Sequence, residues 1–403
     1  MVFALSAIGA GDFVSNTAAG SIHGYNLLWV LVLALIFRFV WLNTSAKYVL
    51  ITKETLIQGF SRVGNWIIWA NLISLIVLGH LFNLYKYALM GNCLTFLLPL
   101  PTSKSTTIWL LFCVLTGYVL MIKGGYKKLE IFLKALIAVM GFFLVIAAFL
   151  AKPQPLAILK GMLIPVFPES QSTYSTILLI MALIGTEAGS ITNISYTYFL
   201  DAKGWKDRSM LKYQRRDLIF GIACIFLIGA LLQIVAAGVI VGSVPNLETA
   251  EDLVEIFSRQ LGFAGRLIFA FGLWAAVFSS YIGITSGYAM IVTDILRKIV
   301  IPLKRSFGEG QKSPPLNSDP IYIGIIAFWS FSPLYILLTD WKPVLLTLVA
   351  QASSVVMIPI IGWALLRITN DIELMGQYRN SLWTNAVLII MIFVSIFCIF
   401  LIR

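Results

Sequence analysis

Apolar runs, each near the ~20 residues that carry an α-helix across a bilayer, recur along this chain from residue 27 to its end. They fall at Leu27–Val49, Trp66–Leu89, Ile108–Ile122, Ile131–Leu150, Tyr174–Phe199, Leu218–Val241, Leu267–Leu296, Ile321–Leu338, Val344–Leu366 and Leu382–Ile402. With the apolar opening segment before them they make eleven spans. Hydrocarbon offers a backbone no water, so each span must close its own hydrogen bonds. The expected fold class is therefore an all-α polytopic membrane protein, one transmembrane domain over residues 1–403. Charged residues make up 12% of the chain, about half of the ~25% usual in soluble domains. The lipid bilayer is the first partner implied. The net charge of +11 carries no suggestion of nucleic acid, because basic residues of such a chain belong in its cytoplasmic loops.

Their placement orients the chain. With the N-terminus in the cytoplasm, 19 of the 29 Lys and Arg residues fall in even-numbered loops and span ends on that side, and seven on the other. The C-terminus is then outside, and the expected location is a plasma membrane, the bacterial inner membrane. The longest polar loops, Asp201–Asp217 and Arg297–Asp319, are both cytoplasmic in this arrangement.

Two spans are interrupted by glycine together with an acid. Span one has Gly9-Ala10-Gly11-Asp12, and span six has Gly185 to Asn193, GTEAGSITN. At about 26 residues, span six is ~39 Å of straight helix, too long for a ~30 Å core unless it tilts or breaks. Unwound backbone is tolerated at that depth only inside protein or along a cavity. The two breaks lie five spans apart, the spacing of two inverted five-helix repeats: residues 1–151, residues 172–367, and an extra helix over 381–403. Matched breaks in two halves mark a transporter's binding site. Asp12 and Ser190 read as caps of the second half-helices, with Ser15 and Asn193 three residues on. Glu187 sits near the midplane, where an ionisable group is costly and usually functional. Two facing carboxylates, Asp12 and Glu187, make an oxygen-rich cation site.

Span three adds His80, Asn83, Lys86 and Tyr87 at three- and four-residue spacing, one polar stripe on a helix. Its plain reading is packing against the bundle. Its functional reading makes His80, Asn83, Lys86 and Glu187 candidates for proton handling or coupling, with Lys86 paired to Glu187 or standing in for a coupling cation. Arg38 in span two either snorkels or pairs with another helix. The cysteines Cys93, Cys113, Cys224 and Cys398 are scattered, without a CxxC pair. There is no HExxH, no P-loop and no Ser/His/Asp grouping, so neither an enzyme nor a bound cofactor is expected.

The stretch GAGDFVSNTAAGSIHGYNLLWV resembles the first helix of the NRAMP divalent-metal transporters, which reads Asp-Pro-Gly-Asn-Phe and continues to Gly-Tyr-x-Leu-Leu-Trp. Ser45-Ala46-Lys47, the stretch Ala275–Leu296, Gln351 and Pro359 resemble further parts of that family. The resemblance implies the LeuT-type fold, with helices one and six broken. It also implies departures. The family's metal-binding Asp falls on Gly9 and its Asn on Asp12, while its helix-six Met and His fall on Gly189 and Ile191. Loss of the thioether shifts preference from softer metals toward Mg²⁺ or Mn²⁺. The resemblance thus implies a secondary transporter of divalent cations. Asp12 and Glu187 are its ligands, joined by the carbonyls of Gly9 and Thr186 and by Gln351. Fold does not fix substrate. A transporter of a small organic solute, such as an amino acid held at the half-helix N-termini, stays open beside it.

Overall fold

The computed structural model describes residues 9–123, 126–169, 174–189, 191–239, 247–297 and 318–401. Among them the secondary structure is helical throughout. In chain order the principal helices are α1 (Ala10–His23), α2 (Leu28–Thr52), α3 (Asn65–Leu97), α4 (Ser105–Lys123), α5 (Tyr126–Leu150), α6 (Thr176–Leu183), α7 (Thr192–Ala202), α8 (Leu211–Val239), α9 (Ala250–Ile295), α10 (Pro320–Phe331), α11 (Pro343–Ser354), α12 (Met357–Asn370) and α13 (Leu382–Phe400).

Ten helical stretches among the described residues are long and apolar enough to cross a membrane. They coincide with the ten runs that follow the opening segment. The expected first span begins in residues 1–8, outside the described residues, and its described part is α1. The expected cap Ser190 and most of the Arg297–Asp319 loop also lie outside them.

Local sequence sets the ends. Thr55 opens the short helix Leu56–Val63 with a capping box to Gln58, and Thr249 opens α9 with a second one to Asp252. Asp319 caps α10, whose first residue is Pro320. At 46 residues α9 is far longer than a bilayer requires, and Gly262, at φ 62, breaks it into a peripheral piece and a span. Span ten, read from sequence as continuous, is divided at Val355 and Val356 into α11 and α12.

Helix α1 is the axis of the bundle. Every one of its residues except Ile22 is buried, although Asp12, Ser15, Asn16 and Thr17 are polar. It packs on α8, α9, α11 and α6. A Cβ on Gly20 would meet the Gln233 carbonyl at 2.3 Å, so this glycine lets the α1 and α8 backbones touch. The lipid-facing surface carries the large exposed apolar side chains, among them Phe142, Phe149, Phe393 and Phe397.

Candidate functional site

The break in span six is a turn of π-helix. Helix α6 runs into Ile184–Ala188 with a wider hydrogen-bond spacing and stops at Gly189, whose φ of 68 lies in the left-handed region. Carbonyls released by that turn are met by side chains from three elements. Ser354 donates to Gly185 O at 3.3 Å, Arg38 to Glu187 O at 3.4 Å and Asn193 to Ala188 O at 2.8 Å. The unwound backbone is therefore satisfied inside protein, as hydrocarbon demands.

The start of α1 faces this turn. Its capping residue is Gly9, in an extended conformation, and the Gly9 N–H donates to Asp12 Oδ2 at 2.6 Å. Asp12 is thus the third residue of the first turn and reaches back to the cap position, rather than being the cap itself. The reason is register: the helix begins at Ala10, so Asp12 occupies the acidic place of a capping box.

Asp12 and Glu187 meet side chain to side chain. Both are buried, and Asp12 Oδ1 and Glu187 Oε2 have no hydrogen-bond partner. Asn16, one turn after Asp12, donates to Glu187 Oε1 at 2.6 Å and to the Asp12 carbonyl at 2.8 Å. Gln233 of α8 donates to Asn16 Oδ1 at 2.8 Å and orients that amide. The Ser15 and Thr186 hydroxyls lie 3.4 Å apart, a second tie between α1 and the span-six turn.

A cavity of about 390 Å³ opens on this cluster. Gly9, Asp12, Thr186, Gln351 and Arg38 line its deep end, and Met121, Phe199, Met290 and Tyr322 line the other. Glu187 is not in the lining; it lies fully buried against Asp12. Gln351 donates to Tyr85 OH at 2.9 Å. A Cβ at Gly185 would sit 1.9 Å from Gln351 O, and one at Gly11 would sit 2.3 Å from Gln351 Nε2. The glycines of both breaks are thus needed for the approach of α11.

The structure brings Gly9, Asp12, Thr186, Glu187 and Gln351 together. The span-three residues go elsewhere. Lys86 forms no ion pair with Glu187; its ammonium donates to Ser280 O at 3.3 Å and lies near the rings of Phe82 and Tyr85. The carboxylate is out of its reach because Lys86 faces α9, and Arg38 instead supplies the cation at the span-six turn. His80 contacts Ser332 at 3.1 Å and Tyr335 at 3.2 Å, away from the cavity. Asn83 donates to Thr285 and to Trp329 O. Sequence reasoning passed over Asn16 and Gln233. Their signal was a strong hydrogen-bonding amide in an otherwise apolar span, and for Asn16 the four-residue step from Asp12.

Chemically the cluster offers hard oxygen donors: two carboxylates, amide oxygens, hydroxyls and carbonyls. Among the described residues no group of three or more His, Cys, Asp and Glu side chains comes together. Paired buried carboxylates with unmet oxygens leave negative charge that an entering cation can neutralise.

The family model described as natural resistance-associated macrophage protein-like matches residues 1–402. The chain belongs to the Nramp family. A divalent metal cation transporter MntH of Aeromonas hydrophila is 22% identical over 96% of this chain and 89% of its own length. The MntH of Chromohalobacter salexigens is 26% identical over 59% of this chain and 56% of that protein. Among solved structures, a manganese transporter of Eremococcus coleocola, in complex with an aromatic bis-isothiourea substituted compound, superposes with a TM-score of 0.73 at 16% identity. That superposition covers 99% of this chain and 84% of that one. Mhp1, a nucleobase-cation-symport-1 family transporter, superposes with a TM-score of 0.56 at 11% identity over 99% of this chain and 90% of its own. At these identities the superpositions establish the fold, which is LeuT-type. The Nramp-family chain is an integral membrane protein whose sixth span is interrupted where its sequence announces a break.

Proposed function

We propose that this Nramp-family chain is a secondary transporter of a divalent metal cation, moved by alternating access. The observation that carries the reading is the contact between Asp12 and Glu187, each with a buried oxygen lacking a partner, where the start of α1 meets the span-six turn. The ion binds the two carboxylates, with the carbonyls of Gly9 and Thr186 and the Gln351 amide oxygen completing an oxygen shell. Such a shell suits Mn²⁺ or Mg²⁺. Like charges in contact favour one proton shared between the acids, so metal entry displaces a proton from Glu187. His80, Asn83 and Lys86 hold helices in place in this scheme. Family membership and the named relatives favour a metal over an organic solute.

Residues 1–151 and 172–367 form the two inverted repeats, and residues 381–403 the extra helix. The distribution of basic residues supports a cytoplasmic N-terminus, an outside C-terminus and a plasma-membrane location, the inner membrane in a bacterium. In that orientation Met121, Phe199, Met290 and Tyr322 lie at cytoplasmic ends of their spans, and the cavity faces inward. Rocking of α1, α6 and α7 against the remaining bundle exposes the site to the other side.

The test is uptake by purified protein in proteoliposomes, with Mn²⁺ and Mg²⁺ offered separately under an imposed proton gradient. The expected result is saturable uptake of at least one ion, abolished in Glu187→Gln and Asp12→Asn. Uptake of neither ion, or uptake unchanged in both variants, overturns the reading.

A further inference from the structure

A second cavity, of about 700 Å³, lies outside the metal site, between α2, α8 and the start of α13. We propose that it binds one anionic phospholipid, its acyl chain in the groove and its phosphate at Arg215. Three observations carry this.

The first is length. The α2 wall runs from Val32 to Thr44 and the α8 wall from Phe226 to Arg215. On each helix the lining residues step by three or four, one face of about 17 Å. That is close to ~15 Å, the depth of one leaflet's hydrocarbon.

The second is polarity. Along most of its length the groove is apolar, with Leu35, Phe39 and Ile222 among its walls. Its polar residues gather at one end: Arg215, Asn43, Thr44, Ser381 and Thr384. An acyl chain below a phosphate has this division.

The third is unmet polarity of the matching kind. Thr44 is fully buried, lines the cavity, and its hydroxyl has no hydrogen-bond partner. Among the described residues no carboxylate pairs with Arg215, although Asp217 two residues on pairs with Lys203 at 3.2 Å. No acidic residue lines the cavity. A guanidinium without a carboxylate partner at the same end of the groove as the partnerless Thr44 hydroxyl is a phosphate-binding arrangement, and basic pockets between membrane helices on the cytoplasmic side hold anionic headgroups. Trp383, exposed at the same mouth, is placed as an interfacial aromatic anchor. The leaflet, cytoplasmic, rests on the orientation proposed above; the site itself does not.

The experiment is native mass spectrometry of the full-length protein in mixed micelles holding phosphatidylglycerol and phosphatidylcholine of identical chains. Wild-type protein should retain one phosphatidylglycerol with about fivefold preference, the scale of one surface cation's attraction to anionic lipid. Arg215→Gln should lose the preference while still binding either lipid. Ala223→Trp, which fills the groove without touching the charge, should release both. Inorganic phosphate in excess should leave the bound lipid in place. Equal retention of the two lipids by wild-type protein, or an undiminished preference in Arg215→Gln, overturns the proposal. So does displacement by phosphate alone.

Discussion

Asn16 ties α1 to the span-six turn through one amide, 2.6 Å from Glu187 Oε1 and 2.8 Å from the Asp12 carbonyl. It joins the proposed ligand on α1 to the proposed ligand on the span-six turn, and Gln233 of α8 donates to its side-chain oxygen and fixes its orientation. Removing the amide takes from Glu187 Oε1 its hydrogen bond. Asn16→Ala is therefore expected to cost about 1–3 kcal/mol in stability, the cost of an unsatisfied buried partner. Transport should fall at least tenfold, because the two halves of the site lose register. Gln233→Leu leaves Asn16 Oδ1 without its donor but also removes the buried, partnerless Gln233 Oε1, so it should cost less, about 0.5–1.5 kcal/mol. Thermal unfolding in detergent and uptake in proteoliposomes measure both, and an Asn16→Ala protein as active as wild type would remove Asn16 from the site.

Glu187→Gln separates charge from shape. The side chain keeps its size, but the negative charge that attracts the ion is gone. The empty variant should be about as stable as wild type, since the amide stands in for the protonated acid of the empty site. Wild-type protein should gain about 2.7 kcal/mol at a Mn²⁺ concentration 100 times its dissociation constant. The variant should gain nothing at that concentration. Melting curves with and without metal check this without any transport assay, and equal metal-induced shifts in the two proteins would place the ion elsewhere.

Much of this site could be read in the sequence, for a definite physical reason. Glycine with an acid inside a membrane span violates two rules at once, and both violations at Gly9–Asp12 and Gly185–Asn193 are compensated in the structure by close packing and side-chain hydrogen bonds. The ten long apolar stretches were equally legible, because hydrocarbon permits little besides helix. Partnership was not legible. The spacing of His80, Asn83 and Lys86 gives one helix face but not which helix it meets, and that face meets α9 and the Ser332–Leu338 turn instead of Glu187. The cap at Gly9 in place of Asp12 was hidden too. Cap position depends on a register of two or three residues that composition does not set.

The two break glycines facing Gln351 should respond differently to alanine. At Gly185 the obstacle is backbone, the Gln351 carbonyl at 1.9 Å from the added Cβ. Backbone cannot move aside without shifting α11, so Gly185→Ala should cost about 1–3 kcal/mol. At Gly11 the obstacle is the end of the Gln351 side chain. Gly11→Ala should be rescued in stability by Gln351→Ala, whereas Gly185→Ala should not. A double-mutant cycle on unfolding midpoints reads the difference.

Lys86 tests whether a buried charge at the edge of the site belongs to the chemistry. It is fully buried, donates to the Ser280 carbonyl at 3.3 Å, and lies 5.8 Å from the Phe82 ring and 5.9 Å from that of Tyr85. A carbonyl and two ring faces satisfy an ammonium only in part, and desolvation of the charge is costly. Methionine has a similar length and no charge. Lys86→Met should therefore fold at least as stably as wild type, and a raised unfolding temperature would show that the ammonium is held at a cost. Ser280 also packs on Gly9, where an added Cβ would lie 2.9 Å from Ser280 Oγ, so Lys86 supports the wall behind the α1 cap. If positioning is its whole role, Mn²⁺ uptake by Lys86→Met should stay within about threefold of wild type with the same proton dependence, a change of well under 1.4 kcal/mol in the barrier. Uptake that persists but no longer responds to the proton gradient would instead make the ammonium part of the coupling, and would return this residue to the centre of the mechanism.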